Sequence, residues 1–255
     1  CVLANNHVLD WGVAGLLETL ATLDAAGIRR AGAGRNLEES IAPAVLPVPG
    51  KGRVLVFSCG SDSSGIGWRW EATDHQPGVH LLPDLSMDSV ATLARQIRRV
   101  KRDADIVVLS IHWGGNWDYS IPHVQREFAH ALVDRAGVDV IHGHSSHHVK
   151  GIEVYNGRLI LYGCGDLLSD YEGISGHEEF RGELGLMYFP SLDPATGRLQ
   201  RLEMTPTRLR KLRINRAALD EAQWLAEVLN REGGPLGSSV FLTADHRLEL
   251  QWHDA

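Results

Sequence analysis

The chain has 255 residues, 44% of them hydrophobic and 22% charged, with a net charge of −7. It is long enough to bury a core without disulfide or metal staples, and an acidic balance with no basic run argues against a nucleic-acid partner. Three cysteines make no disulfide framework and fit a reducing compartment, and no apolar run approaches the roughly 20 residues of a membrane span.

Cys1 to Ala4 reads as the tail of a strand, which implies residues upstream of Cys1. A loop follows from Asn5 to Asp10. Leu16, Leu17, Leu20 and Leu23 recur at helical spacing, so Val13 to Ala26 is expected to be a helix, ended by Gly27. Ile28 to Ala31 reads as a short strand and Asn36 to Ala42 as a brief helix. Val54-Leu-Val-Phe57 marks a strand over Arg53 to Ser58. The stretch Gly60 to Gly67 is rich in glycine and serine. No helical pattern follows it, so its amides are not set up as a phosphate cradle, and it reads as a surface loop or lid. Trp68 and Trp70 are expected to pack inward.

Met87 to Arg102 carries Val90, Leu93, Ala94, Ile97 and Val100 on one helical face. Asp105 to Ser110 reads as a buried strand, Val124 to Gly137 as a helix and Val138 to Ile141 as another buried strand. This alternation predicts a mostly parallel sheet covered by helices.

Beyond His148 the texture changes. Ile152 to Tyr155 and Arg158 to Tyr162 form a hairpin on an Asn156-Gly157 turn. Leu184 to Pro190 and Gln200 to Thr205 read as strands around the turn Asp193 to Gly197, and Arg208 to Ile214 as a further strand. Arg208, Arg210, Lys211 and Arg213 make its densest positive patch, read as a solvated face, with an anionic-substrate clamp as the lesser reading. Asp220 to Arg231 reads as a helix, and Val240 to Leu242 with Leu248 to Trp252 as a last strand pair. The expected organisation is one domain over residues 1–255, with residues 200–255 a C-terminal β/α extension packed on it.

Four of the chain's 13 histidines fall between Val138 and His148. Imidazole gains or loses a proton near neutral pH and also binds metals. Asn5-Asn-His7, Ile111-His112-Trp-Gly114 and Gly143-His144-Ser-Ser-His147-His148 each follow an expected strand, where open α/β sheets bind ligands. These three segments are expected to share one crevice. Alternation along the extended segment would turn His142 and His148 away from it. Asp10 would either orient His7 through a ring nitrogen or cap the next helix. The loop with Asn116, Trp117, Asp118 and Tyr119 reads as substrate-facing. Cys164 has nothing nearby to lower its pKa and is not expected to be a nucleophile. Asp170-Tyr-Glu172 and His177-Glu-Glu179 form an acidic patch, read as a solvated loop. Arg181 is a candidate for holding a carboxylate bidentately.

Asn5-Asn-His-Val-Leu-Asp-Trp-Gly12, Ser110-Ile-His-Trp-Gly114, Gly143-His-Ser-Ser-His147 and Leu161-Tyr-Gly-Cys-Gly-Asp166 resemble, in order, the signature blocks of CapA-type proteins. That family is named for bacterial poly-γ-glutamate (capsule) biosynthesis and belongs to the calcineurin-like metallophosphoesterase superfamily. The resemblance runs from Cys1 to about Pro190. It implies an α/β fold of the four-layer α/β/β/α sandwich type with mixed sheets. It implies Asn6, His112, His144 and His147 as metal ligands, with His7 and His147 catalytic and Asp10 beside His7. Substrate contacts would come from Asn5, Trp113, Asn116, Asp166 and Arg181. The metal would be divalent (Mn, Zn, Fe or Mg), or absent, and the substrate a peptide, polyglutamate or other anionic polymer, with no nucleic acid. CapA-type relatives are often extracytoplasmic and membrane-associated through an N-terminal segment, which sets the resemblance against the cysteine usage.

The superfamily's first metal-binding Asp and His and its second Gly-Asp are not in this chain. Two-metal phosphoryl chemistry needs bridging carboxylates. Three functions therefore stay open: a metal-dependent hydrolase or phosphoesterase of capsule biosynthesis, a metal-independent acid–base peptide epimerase, and a non-catalytic assembly subunit of a polymer synthase.

Overall fold

The computed structural model describes residues 1–169 and 174–253. The chain is mixed α/β and divides into two compact units. Unit 1 comprises Cys1–Gly115 with Pro122–Ile141, and unit 2 comprises Asn116–Ile121 with His142–Ala255. Residues 200–253, expected as a C-terminal extension, fall within unit 2. Among the described residues, no helix is long and apolar enough to cross a membrane.

In chain order, unit 1 holds α1 (Gly12–Ala25), β1 (Ala33–Gly34), α2 (Leu37–Ile41), β2 (Ala44–Val48), β3 (Gly52–Ser61), β4 (Gly78–Val79), β5 (Leu81–Leu82), α3 (Met87–Val100), β6 (Asp105–His112) and α4 (His123–Ala131). β7 (Val140–His144) begins in unit 1 and ends in unit 2. Unit 2 continues with β8 (Ile152–Tyr155), β9 (Arg158–Leu161), β10 (Leu184–Leu192), β11 (Leu199–Arg210), β12 (Arg213–Arg216), α5 (Leu219–Gly233), β13 (Ser238–Leu242) and β14 (Leu248–Trp252).

The centre of unit 1 is β3, with β5 and β6 parallel to it and β2 antiparallel. Arg53 stands opposite Asp105 at the start of the β3–β6 ladder, and its Nε donates to the Asp105 carboxylate at 2.9 Å. That pair fixes the register which brings Gly60 opposite His112 at the far end. β2 was not expected, because Pro43, Pro47 and Pro49 punctuate it. It lies at an edge, where proline's missing N–H does no harm. The span read as strand at Ile28 to Ala31 is only a single bridge from Ala31 to Val2.

α1 buries Leu16 and Leu20 against Leu3, Ala4, Leu9, Ile66 and Val79, while Leu17 is 37% exposed. Trp70 packs against this cluster, but Trp68 points to solvent, against expectation. α3 is capped by the Ser86 hydroxyl, which accepts from Ser89 N, and buries Val90, Leu93, Ala94 and Ile97. α4 passes into a π-helical turn, Leu132–Ala136, closed by Gly137 in the left-handed region.

In unit 2, β8 and β9 turn at Asn156 (φ 49°) and Gly157 (φ 74°), the left-handed pair an Asn-Gly hairpin needs. β10, β11, β14 and β13 form an antiparallel sheet in that order. The strand expected over Arg208 to Ile214 is instead the end of β11, a turn at Lys211 and Leu212, and the start of β12. α5 lays Ala222, Leu225, Val228 and Leu229 inward and packs on β13.

Candidate functional site

The candidate histidines fall in both units. In unit 1, Leu3 N donates to Ala31 O at 2.8 Å, which holds the segment before Asn5. The chain then turns sharply: His7 N donates to Asn5 Oδ1 at 2.9 Å and Asp10 N to His7 O at 3.1 Å. The turn brings His7 Nδ1 to 2.8 Å from Asp10 Oδ2. α1 begins without a side-chain cap, so Asp10 orients the imidazole rather than capping the helix. The His7 side chain is 71% exposed.

His112 lies at the end of β6 and is buried. The serine-rich loop after β3 fastens this strand end. Ser64 Oγ donates to His112 O at 3.0 Å, and Gly114 N donates to Ser63 Oγ at 3.1 Å. That role was not legible in the sequence, where the loop carried no signal beyond its glycines. A side chain at Gly65 (φ 82°) would start 3.5 Å from the Asn6 amide nitrogen, so the loop also lies along Asn6. Trp113, a candidate substrate contact, is 2% exposed and sits in the core.

In unit 2, the segment after β7 bends at Ser145 (φ 127°). His147 N donates to Asn116 O at 3.0 Å, and His147 Nδ1 lies 2.8 Å from Asp166 Oδ2. The His147 ring stacks on Trp117 with centroids 5.3 Å apart, and His177 stacks on the same indole at 4.3 Å. His148 is turned into an aromatic pocket, 4.5 Å from Phe180 and 4.7 Å from Tyr119. Its Nδ1 donates to Val149 O, and burial pushes its pKa down to about 4, so the ring is neutral. The His142 and His144 rings lie 5.5 Å apart. Residues two apart on a strand share a face, so His142 lies on the same side of the strand as His144.

Gly163 permits this arrangement: a side chain there would start 2.3 Å from Ser146 Oγ and 2.7 Å from Lys150. Lys150 is buried, with its ammonium pushed below the usual lysine range by desolvation. Nζ donates to Ser120 O at 2.7 Å. Asp118 is held below the usual carboxylate range by the Ser120 hydroxyl and amide. The lysine, and the His177 and Phe180 rings beside Trp117, were missed in the sequence, which places them far from Trp117 with no spacing to connect them. Cys164 is buried and its thiol is pushed up by desolvation, in keeping with its reading as no nucleophile. Arg181 is engaged by the chain's own carboxylates, Glu183 at 3.1 Å and Glu221 at 3.6 Å, and lies over Trp224. Asp170 and Glu172, part of the expected acidic patch, lie outside the described residues.

The residues expected together thus divide as follows. His7 meets Asp10, and His147 meets Asp166 and the Asn116 carbonyl. Asn5, Asn6 and His112 belong to unit 1, and His144 and His147 to unit 2. Among the described residues, no three His, Cys, Asp or Glu side chains are grouped as ligands for a cation.

Residues 1–171 match the family of the bacterial capsule synthesis protein PGA_cap. A probable polyglutamine synthesis accessory protein of Mycobacterium tuberculosis is 45% identical over 251 residues, 98% of this chain and 66% of the relative. The PGA biosynthesis protein CapA of Bacillus subtilis is 36% identical over 168 residues, covering 66% of this chain and 41% of that protein. The capsule biosynthesis protein CapA of Bacillus anthracis is 32% identical over 173 residues, with 66% and 39% covered. The chain spans 66% of the length of the mycobacterial relative and less of the Bacillus ones.

Proposed function

Because the chain belongs to the bacterial capsule synthesis PGA_cap family, we propose that it serves the making of a glutamyl polymer through a proton-transfer site centred on His147 and Asp166. The relatives named for polyglutamine, PGA and capsule synthesis support the substrate class. The observation that carries the chemistry is the 2.8 Å contact between His147 Nδ1 and the Asp166 carboxylate. A carboxylate there keeps the proton on Nδ1, so Nε2 is the atom that takes or gives a proton. The same carboxylate steadies the imidazolium once it forms. The Asn116 carbonyl holds the His147 backbone amide, and the ring lies against the Trp117 face.

Such a dyad fits chemistry on a polyamide in two ways. Acting as general acid, His147 would protonate a departing amide nitrogen during hydrolysis or transfer. Acting as general base, it would remove the proton from a glutamyl α-carbon, and return of a proton to the opposite face of that carbon by a second acid, or by water, would complete an epimerisation. Turnover in deuterium oxide separates them: only the second places deuterium at the α-carbon. A metal-dependent phosphoesterase remains the superfamily's alternative. It requires stoichiometric metal by elemental analysis and loss of activity on chelation.

The test of the site is genetic. In cells whose own copy is deleted, the full-length protein is expected to restore glutamyl-polymer output, while His147→Ala and Asp166→Asn, accumulating at wild-type levels, are expected not to. Full output from His147→Ala would overturn the catalytic reading and leave an assembly role.

A further inference from the structure

We propose that the hairpin of β11 and β12 is a docking site for a polycarboxylate chain, held by Arg210, Lys211 and Arg213. The identity of that chain rests on the glutamyl-polymer reading above. The hairpin lies beyond residues 1–171, outside the stretch that the family match covers.

The ladder register sets Arg210 opposite Arg213 and Arg208 opposite Asn215. Opposed residues share a face of the ribbon, and so do residues two apart on one strand. Arg208, Arg210, Arg213 and Asn215 therefore stand on one side, and Arg210, Lys211, Arg213 and Asn215 line a surface cavity of about 540 Å³. Like charges directly opposed in an antiparallel pair destabilise it. Three other arginines of this sheet and its turns are neutralised: Arg201 meets Glu249 at 2.7 Å, Arg247 meets Asp245 at 2.8 Å, and Arg208 is paired with Glu221. Among the described residues, no ion pair joins Arg210, Lys211 or Arg213 to a carboxylate.

The turn adds a second, independent sign. Lys211 (φ 53°) and Leu212 (φ 54°) both occupy the left-handed region, where a two-residue hairpin turn ordinarily takes Asn and Gly. The β8–β9 hairpin has that ordinary pair at Asn156 and Gly157. Strain at Lys211 is thus borne in order to hold an ammonium at the tip, beside two guanidinium groups. Each guanidinium takes a carboxylate bidentately and the ammonium adds a point charge. A chain with a carboxylate on every repeat engages all three at once, whereas a lone carboxylate engages one.

Isothermal titration of the full chain with a poly-γ-glutamate oligomer tests this. The Arg210→Gln, Lys211→Gln, Arg213→Gln triple variant is expected to bind at least about tenfold more weakly and with a flatter salt dependence. Lys211→Asn supplies a readout that a purely structural role would not give: the relaxed turn raises the melting temperature while polymer binding falls. Equal binding by the triple variant overturns the docking site and leaves the glutamyl-polymer reading standing. Duplex DNA or phosphatidylserine vesicles bound as tightly as the polymer, and lost equally in the triple variant, overturn the polycarboxylate assignment. A wild type that binds no polymer also overturns the docking site, and polymer output in cells then judges the His147 reading separately.

Discussion

The ammonium of Lys150 and the carbonyl oxygen of Ser120 are 2.7 Å apart, although 30 positions separate the two residues. With the bond from His147 N to Asn116 O, this contact ties both ends of the segment Asn116–Ile121 to the stretch His147–Lys150 that follows β7. Trp117 and Tyr119, the faces against which His147 and His148 rest, sit between those two ties.

Lys150→Met is therefore expected to act locally. Losing a charged hydrogen bond costs about 1.5–3 kcal/mol, but removing a buried ammonium returns part of its desolvation penalty. The net change in urea-derived stability should fall under about 1 kcal/mol, the difference of two terms of similar size. Amide hydrogen exchange across Asn116–Ile121 should nevertheless quicken markedly. Unchanged exchange there would show that the lysine does not anchor the segment.

Asp166→Asn replaces an acceptor by an amide that can donate to Nδ1, which moves the ring proton to Nε2. Where a carboxylate–histidine pair transfers protons, such a change lowers turnover by roughly 10²–10⁴-fold with the fold intact. Circular dichroism should be unchanged, while the rate of glutamyl-polymer conversion falls.

Acid stability is governed in part by His80 and His148, both pushed down to about 4 by burial. The unfolded chain binds protons at these rings near pH 6.5 and the folded chain does not, so unfolding takes up protons between those values. Stability is then full above about pH 6.5 and declines as pH falls toward about 4, by up to roughly 3 kcal/mol for each ring. In His80→Asn the amide can replace the Nδ1 donor to Ser58 O without titrating. Urea melts of that variant between pH 4 and 6.5 should show a shallower acid limb than the wild type.

Gly163→Ala is expected to destabilise by about 1–3 kcal/mol, because its methyl would meet Ser146 Oγ and the Lys150 stem. Adding Ser146→Gly removes the first clash and should restore part of the loss. Thermal melts of the single and double variants give the comparison.

Much of this was legible because the physics was local. The strands around Val54 and Val107, helix α3 and the Asn156-Gly157 hairpin follow from apolar spacing and turn chemistry. The His7–Asp10 pair follows from three residues of chain in a tight turn. The His147–Asp166 pair was legible only as two residues named for one site, because their approach depends on Gly163 and Gly165 bringing the backbone close. The long β11 strand was cut short in the reading because Pro206 interrupts its apolar pattern, although β10, β12 and β14 all pair along it. The serines that clasp the end of β6, and His177 on Trp117, had no periodic or spacing signal at all.

The passage of Asn116–Ile121 into unit 2 limits how the protein can be dissected. A fragment starting at His142 would be born with a hole where two aromatic rings belong, leaving His148 and Phe180 facing water. A fragment stopping at Ile141 would keep those rings with nothing to lie on. Neither half is expected to survive excision as an autonomous piece, and tags, truncations or split-protein designs should leave all three crossings of the chain, after Gly115, Ile121 and Ile141, uncut.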